Sequence, residues 1–243
     1  MMFVFKLLGW IVGLVVVAII ALLLFLRFGT PVYDWHQEMT VVIDTPDGPV
    51  SGSSVSAVRW QEHAIKAQGM GWSLKVTGEA VVVDLGPSAS RPRYLFALMK
   101  GAGTTEYMGS VAAASLSGRK GRVIDEALFA QIKNRQGAAA RPIAVPSIQY
   151  PLLVTFAEIN DPASVARVDP DDLAAHFGPG YAPSSITLAI TDEKVTKGRV
   201  EAVLGWLGEY YDKHLDGNRL ETINAENRFA NSLASGAFDT EKN

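Results

Sequence analysis

The chain has 243 residues, no cysteine, and 22 Lys and Arg against 25 Asp and Glu. Without cysteine it can form no disulfide, no iron–sulfur cluster and no cysteine nucleophile. Lys6 and Arg27 flank an apolar run, which leaves 20 of the 22 basic residues against all 25 acids for the rest of the chain; so acidic a remainder lacks the basic face that phosphate contacts need, and no nucleic acid is expected as a partner.

Residues 7–26 carry no charged side chain. As a helix, a run of this length spans roughly 30 Å, the thickness of a bilayer's hydrocarbon core. It exceeds the core of a cleavable signal, and Arg27, Phe28, Gly29, Thr30 and Pro31 offer no small-x-small cleavage site after it. Residues 1–27 therefore read as an uncleaved transmembrane signal anchor, with the lipid bilayer as a partner. No Lys or Arg occurs between Arg27 and Arg59. With so short an N-terminus, the distribution places the chain in the inner membrane with its domain facing the periplasm. Gly9 and Gly13 match the small-xxx-small spacing of packed membrane helices, although glycine is common in such spans anyway.

Residues 28–39 read as a juxtamembrane linker, in which Phe28, Tyr33 and Trp35 are either an interfacial belt or the first packed residues of the domain. An α+β domain is expected over 40–217. Residues 40–44 are β-branched and read as a strand. Thr45, Pro46, Asp47 and Gly48 supply a hairpin turn, and a return strand runs from 50 to 60. Its small residues Ser51, Gly52, Ser53 and Ser54 suit close packing of a twisted strand or a backbone cradle for an anion; no Lys-Ser/Thr pair follows to make a P-loop. Residues 79–85 and 94–99 are nearly continuous apolar runs joined by a breaker-rich stretch, and read as an antiparallel hairpin buried on both faces.

Residues 100–122 are rich in Gly, Ala and Ser without a clear period and read as a solvated loop ending in Arg119, Lys120 and Arg122. A short helix is expected over 123–133, with Ile124, Leu128 and Ile132 on one face. Pro142, Pro146 and Pro151 mark an extended connector before a strand at 152–159, with Leu152, Val154 and Phe156 on one face. Asp169 then reads as a helix cap with Pro170 in the first position and Gly178 as the stop. Residues 186–191 alternate, with Ile186, Leu188 and Ile190 inward. Thr196 reads as the cap of the longest remaining helix, running to about Leu215, with a buried stripe of Val200, Val203, Leu204, Leu207 and Tyr211. Residues 218–243 read as a polar, mobile tail.

The chemistry-bearing residues are scattered. His36, His63, His176 and His214 do not pair at metal-ligand spacing. Ser117 and Lys120 match a Ser-x-x-Lys pair but lack the companion motifs of acyl-serine enzymes. Asp212, Asp216 and Gly217 look like half a calcium loop whose twelfth place is Ile223 rather than an acid. Asp169, Asp171 and Asp172 suit a helix N-terminus as well as acid–base work. No catalytic, cofactor-binding or metal-ligating residue is assigned.

Residues 45–55, 78–86 and 95–98, the stretch from Phe156 through Asn160, Asp161, Pro162, Ala163, Ser164 and Val165 to Asp169 and Pro170, Phe177 with Gly178, and Thr187 to Thr191 with Trp206 and Leu207 further on, resemble a bacterial family of small, often membrane-anchored proteins without an assigned activity. The resemblance covers most of the chain after the anchor and implies no catalytic residue or cofactor. The reading is an α+β domain, mainly one antiparallel sheet with two or three packed helices behind one transmembrane helix. It is expected to act as a binding or scaffold module of the envelope with a protein partner at the membrane. An envelope hydrolase and an accessory subunit of a larger membrane complex are the alternatives.

Overall fold

The computed structural model describes residues 2–63, 71–88, 91–101, 106–135 and 141–241. The fold is α+β. Instead of one sheet there are two antiparallel ones, of five and four strands. The chain divides into two compact units, Met1–Tyr33 with Trp60–Leu74, and Asp34–Arg59 with Lys75–Asn243.

The first unit holds helix α1 (Met2–Phe28), whose side chains are described over 10–24. Those side chains are exposed on every side: Trp10 is 77% accessible, Leu14 66% and Leu22 56%. Among the described residues no helix is long and apolar enough to cross a membrane. Elsewhere in this unit Glu62 donates its backbone N–H to Pro31 O (3.0 Å), His63 N–H goes to Gly71 O (2.8 Å), and the rings of Tyr33 and Trp72 lie 6.1 Å apart.

The five-stranded sheet has the order β3 (Trp72–Thr77), β2 (Val50–Glu62), β1 (Val32–Asp44), β9 (Ala182–Thr191), β6 (Ile143–Ala144). Strand β1 begins inside the stretch expected to be a linker. Its period-two pattern starts at Trp35 and continues through Gln37, Met39, Val41 and Ile43, all buried. Trp35 is thus a packed residue, its ring 5.6 Å from that of Phe129. The expected turn closes the β1–β2 hairpin: Thr45 and Gly48 exchange backbone bonds of 3.2 and 3.0 Å, with Gly48 at φ 114°. Strand β9 keeps the alternation read from sequence, with Ile186, Leu188 and Ile190 buried.

The second sheet has the order β4 (Val81–Ser88), β5 (Arg91–Gly101), β7 (Pro151–Phe156), β8 (Val165–Val168). The β4–β5 hairpin is the one expected, pairing Val81 with Ala97 and Val83 with Leu95. Gly52 of β2 lies hard against β4: a Cβ on it would sit 2.1 Å from Val82 O. Its neighbours are small because two backbones meet there, and that contact occupies the space a cradled anion would need.

The largest departure from the sequence reading is residues 100–122. Helix α2 (Tyr107–Ser117) runs through them, with every residue from Tyr107 to Ala114 buried. A helix of small residues buried all round has no polar face, so no 3.6-residue period exists to reveal it. It touches β5, β6 and helix α3 (Glu126–Lys133). Two glutamines tie it in. Gln37, fully buried, accepts from Trp35 Nε1 (2.9 Å) and donates to Met108 O (2.8 Å). Gln149 donates from Nε2 to Ala114 O (3.1 Å) and Arg119 O (2.9 Å), serving carbonyls at the helix C-terminus that lack partners within it.

The helix expected from Thr196 to Leu215 is broken into α5 (Arg199–Val203) and a 3-10 turn at Leu207–Tyr210. Thr196 instead continues the edge of β2, donating N–H to Val55 O (3.0 Å) and accepting Val55 N–H on its hydroxyl (2.8 Å). Likewise Asp169 does not cap a helix. Its carboxylate takes the Asp171 N–H (3.0 Å) in a tight turn, and helix α4 (Ala174–Phe177) starts later, with Asp172 accepting from Ala175 N (3.1 Å).

Residues 218–241 are not a loose tail. Helix α6 (Arg228–Asn231) and the segment after it place Ala230, Leu233 and Phe238 in one core with Phe96, Leu98, Val154, Val200, Leu204 and Leu207. Phe238 lies 6.0 Å from Phe96, ring to ring. Thr240 and Gly78 then pair through the Thr240 N–H (3.0 Å) and the Gly78 N–H (2.8 Å).

Leu207 is fully buried in this core. Leu207→Ala is expected to destabilise the domain by about 2–5 kcal/mol in chemical denaturation. Gln37→Leu strands the Trp35 indole N–H and is expected to cost about 1–3 kcal/mol by the same measurement. Tyr107 is the converse case: its hydroxyl is buried with no partner, and burial holds its pKa well above the ordinary phenol value. Tyr107→Phe removes an unsatisfied group, and an unchanged or higher melting temperature is expected.

Candidate functional site

The outward face of the five-stranded sheet carries an open polar cleft of about 490 Å³. Strand alternation builds it. With Trp35 and Gln37 inward, Asp34 and His36 face the other way; with Val58 inward, Ala57 and Arg59 do; Lys75 and Thr77 follow on β3, and Thr191 with Asp192 closes β9. His36 and Thr191 are register partners across β1 and β9. Lys133 of α3 reaches in and pairs with Asp34 at 3.4 Å. The His36 ring is oriented by Glu193 O, 2.6 Å from Nδ1; a carbonyl only accepts, so Nδ1 carries the proton. Arg59 and Lys75 have no ion-pair partner among the described residues. With Lys133 and Asp34 neutralising each other, two free cations face one acid, Asp192. The cleft offers directional polar groups on an open sheet face, which suits a partner's surface better than an enclosed small molecule.

The residues singled out by sequence are not brought together here or elsewhere. Ser117 lies at the C-terminal end of α2 and donates its hydroxyl to Ala113 O (2.7 Å). It also accepts from Arg119 N and Nε, both at 3.4 Å, which are donors rather than a base, and Lys120 is exposed. His176 is exposed, its ring beside that of Phe177. Asp216 binds the Asn218 N–H (3.0 Å), Asp212 pairs with Arg219 (3.2 Å), and Gly217 takes φ 84°. These contacts make a turn of the half-calcium-loop residues. His63 follows β2, while His214 forms a bridge with Ala234. Among the described residues no three His, Asp or Glu side chains gather to hold a metal ion.

One acidic pair went unnoticed in the sequence. Glu79 and Asp239 are bridge partners, and both side chains are buried. The Glu79 carboxylate accepts from Arg199 N (3.1 Å) and Val200 N (3.3 Å), capping α5 from 120 residues away. Burial first, and then the Asp239 charge, raises the Glu79 pKa; the two N–H bonds oppose the rise. Burial also raises Asp239, with Glu201 and Glu241 adding to it and Lys197 opposing. An acid at 79 inside an apolar strand run was the available signal, but its partner lies at the other end of the chain.

No family model, no curated protein and no solved structure matches the chain.

The raised carboxyls carry a pH signature. Both groups bind protons more tightly folded than unfolded, so their contribution to stability is full below the ordinary carboxylate range and is lost as pH rises through the raised values. A melting temperature that falls from about pH 4 towards pH 7 is expected from this pair, with a shallower fall in Glu79→Gln. Equal slopes in the two proteins would remove Glu79 from the account.

Proposed function

We propose that the chain is a single-pass, membrane-anchored binding module of the bacterial envelope, with α1 in the inner membrane and the α+β domain in the periplasm. The observation that carries this reading is α1 itself: Trp10, Leu14, Val17 and Leu22 are exposed around a helix with no charged residue over 7–26. An apolar helix surface that no protein covers needs an apolar solvent. The resemblance to small, often membrane-anchored bacterial proteins points the same way. The polar cleft supports a partner-binding role, because Arg59 and Lys75 are free to meet acceptors on another surface. Anchoring raises the local concentration of the domain beside other membrane components, so weak contacts suffice.

Membranes washed with alkaline carbonate are expected to retain the protein in the pellet, with residue 1 or 2 still at its N-terminus; release, or a mature terminus beyond Arg27, would overturn the anchor. For the partner, a photoreactive amino acid replacing Lys75 is expected to give a discrete adduct in intact cells. The same group at exposed Glu209 serves as control, and adducts of equal yield from both positions would count against the cleft.

A further inference from the structure

A second cavity, of about 260 Å³, lies within the larger unit and differs from the cleft in every respect. Val76, Met99 and Met108 form apolar walls, and the residues that complete it include no acid. Among the described residues Lys100 is the one residue of fixed charge in the lining. Among the described residues its ammonium has a single contact, Ser232 O at 3.4 Å, which leaves two donors unspent. The hydroxyls at the wall are already committed: Thr240 donates to Gly78 O (3.0 Å) and Ser232 to Phe229 O (2.8 Å). His214 also lines the cavity, although its Nδ1 is out of reach of water and has no hydrogen-bond partner among the described residues.

We propose that this cavity is a binding site for a small monocarboxylate with an apolar body, its carboxylate held by Lys100. The lining favours a singly charged anion: a lone cation beside apolar walls is stabilised by one opposite charge. Met99 and Met108 are flexible, polarisable walls that accommodate an alkyl or aryl body. At a water-sized share of about 30 Å³, 260 Å³ admits roughly eight or nine non-hydrogen atoms.

The test uses the full chain in phosphatidylcholine nanodiscs, with ¹³C-methyl methionine as reporter and hexanoate as probe. Hexylamine, equal in length and opposite in charge, is the control. Hexanoate is expected to shift the Met99 and Met108 methyl resonances saturably while hexylamine does not. Lys100→Gln should weaken hexanoate by about tenfold, the loss of one charge-assisted contact. A second variant leaves Lys100 untouched: a Cβ at Gly236, on the cavity lining, meets nothing within 4 Å, so Gly236→Leu is expected to fold and to obstruct the site. No saturable shift in the folded protein, an equal response to hexylamine, or hexanoate binding unchanged in both variants would each overturn the proposal.

Discussion

In water, a helix without a polar face persists only where protein surrounds it, and α2 imposes that requirement on the whole α+β unit. Its residues from Tyr107 to Ala114 are all buried. Its side chains are too small to fill space themselves, so β5, β6 and α3 must come close. Its last carbonyls lack partners within the helix, and Gln149 meets one of them at Ala114 O. Buried Gln37 ties the first turn, at Met108 O, to the Trp35 indole. Buried amides of this kind are costly unless fully bonded, which is why they define the arrangement around them so sharply.

The C-terminal residues close the other side of the four-stranded sheet. Phe238 stacks edge-on against Phe96, while Thr240 and Asp239 pair backbone with Gly78 and Glu79. Glu79 in turn caps α5, so the last turn of the chain and the helix before it are coupled through one carboxylate. The arrangement joins residues 160 positions apart and gives the domain a long-range closure that no local hairpin provides. The same segment forms part of the wall of the apolar cavity, through Ser232, Ala237 and Thr240.

These constraints leave two different surfaces for recognition. The cleft on the five-stranded sheet is polar and open, built by strand alternation, and its free cations cost nothing to leave solvated. The cavity beside Met99 and Met108 is apolar with a single fixed charge. In the proposed reading the first meets a macromolecular partner and the second a small carboxylate, with α1 holding both near the membrane.

The sequence by itself determined what depends on neighbours in the chain. The uncharged run over 7–26, the Thr45–Gly48 turn, the β4–β5 hairpin and the alternation of Ile186, Leu188 and Ile190 each follow from local composition or a period of two. The Val200, Leu204 and Leu207 stripe was also legible as a buried set, although not as one continuous helix. Tertiary structure decided the rest because the deciding partner was remote. Small residues 107–117 carry no period, and only the surrounding sheets make them a helix. Thr196 had the composition of a cap, but Val55 offered its backbone a strand edge instead. Residues 228–240 looked polar on average, yet a few apolar side chains among them sufficed once Phe96 and Leu98 presented a face to cover. The cleft was not visible: residues 72–77 were not read as a strand, and Asp34 and His36 joined it only when the strand proved to begin at Val32. Individual side chains were readable in the sequence; their convergence on one face was not, because it is set by strand order, which local patterning does not encode.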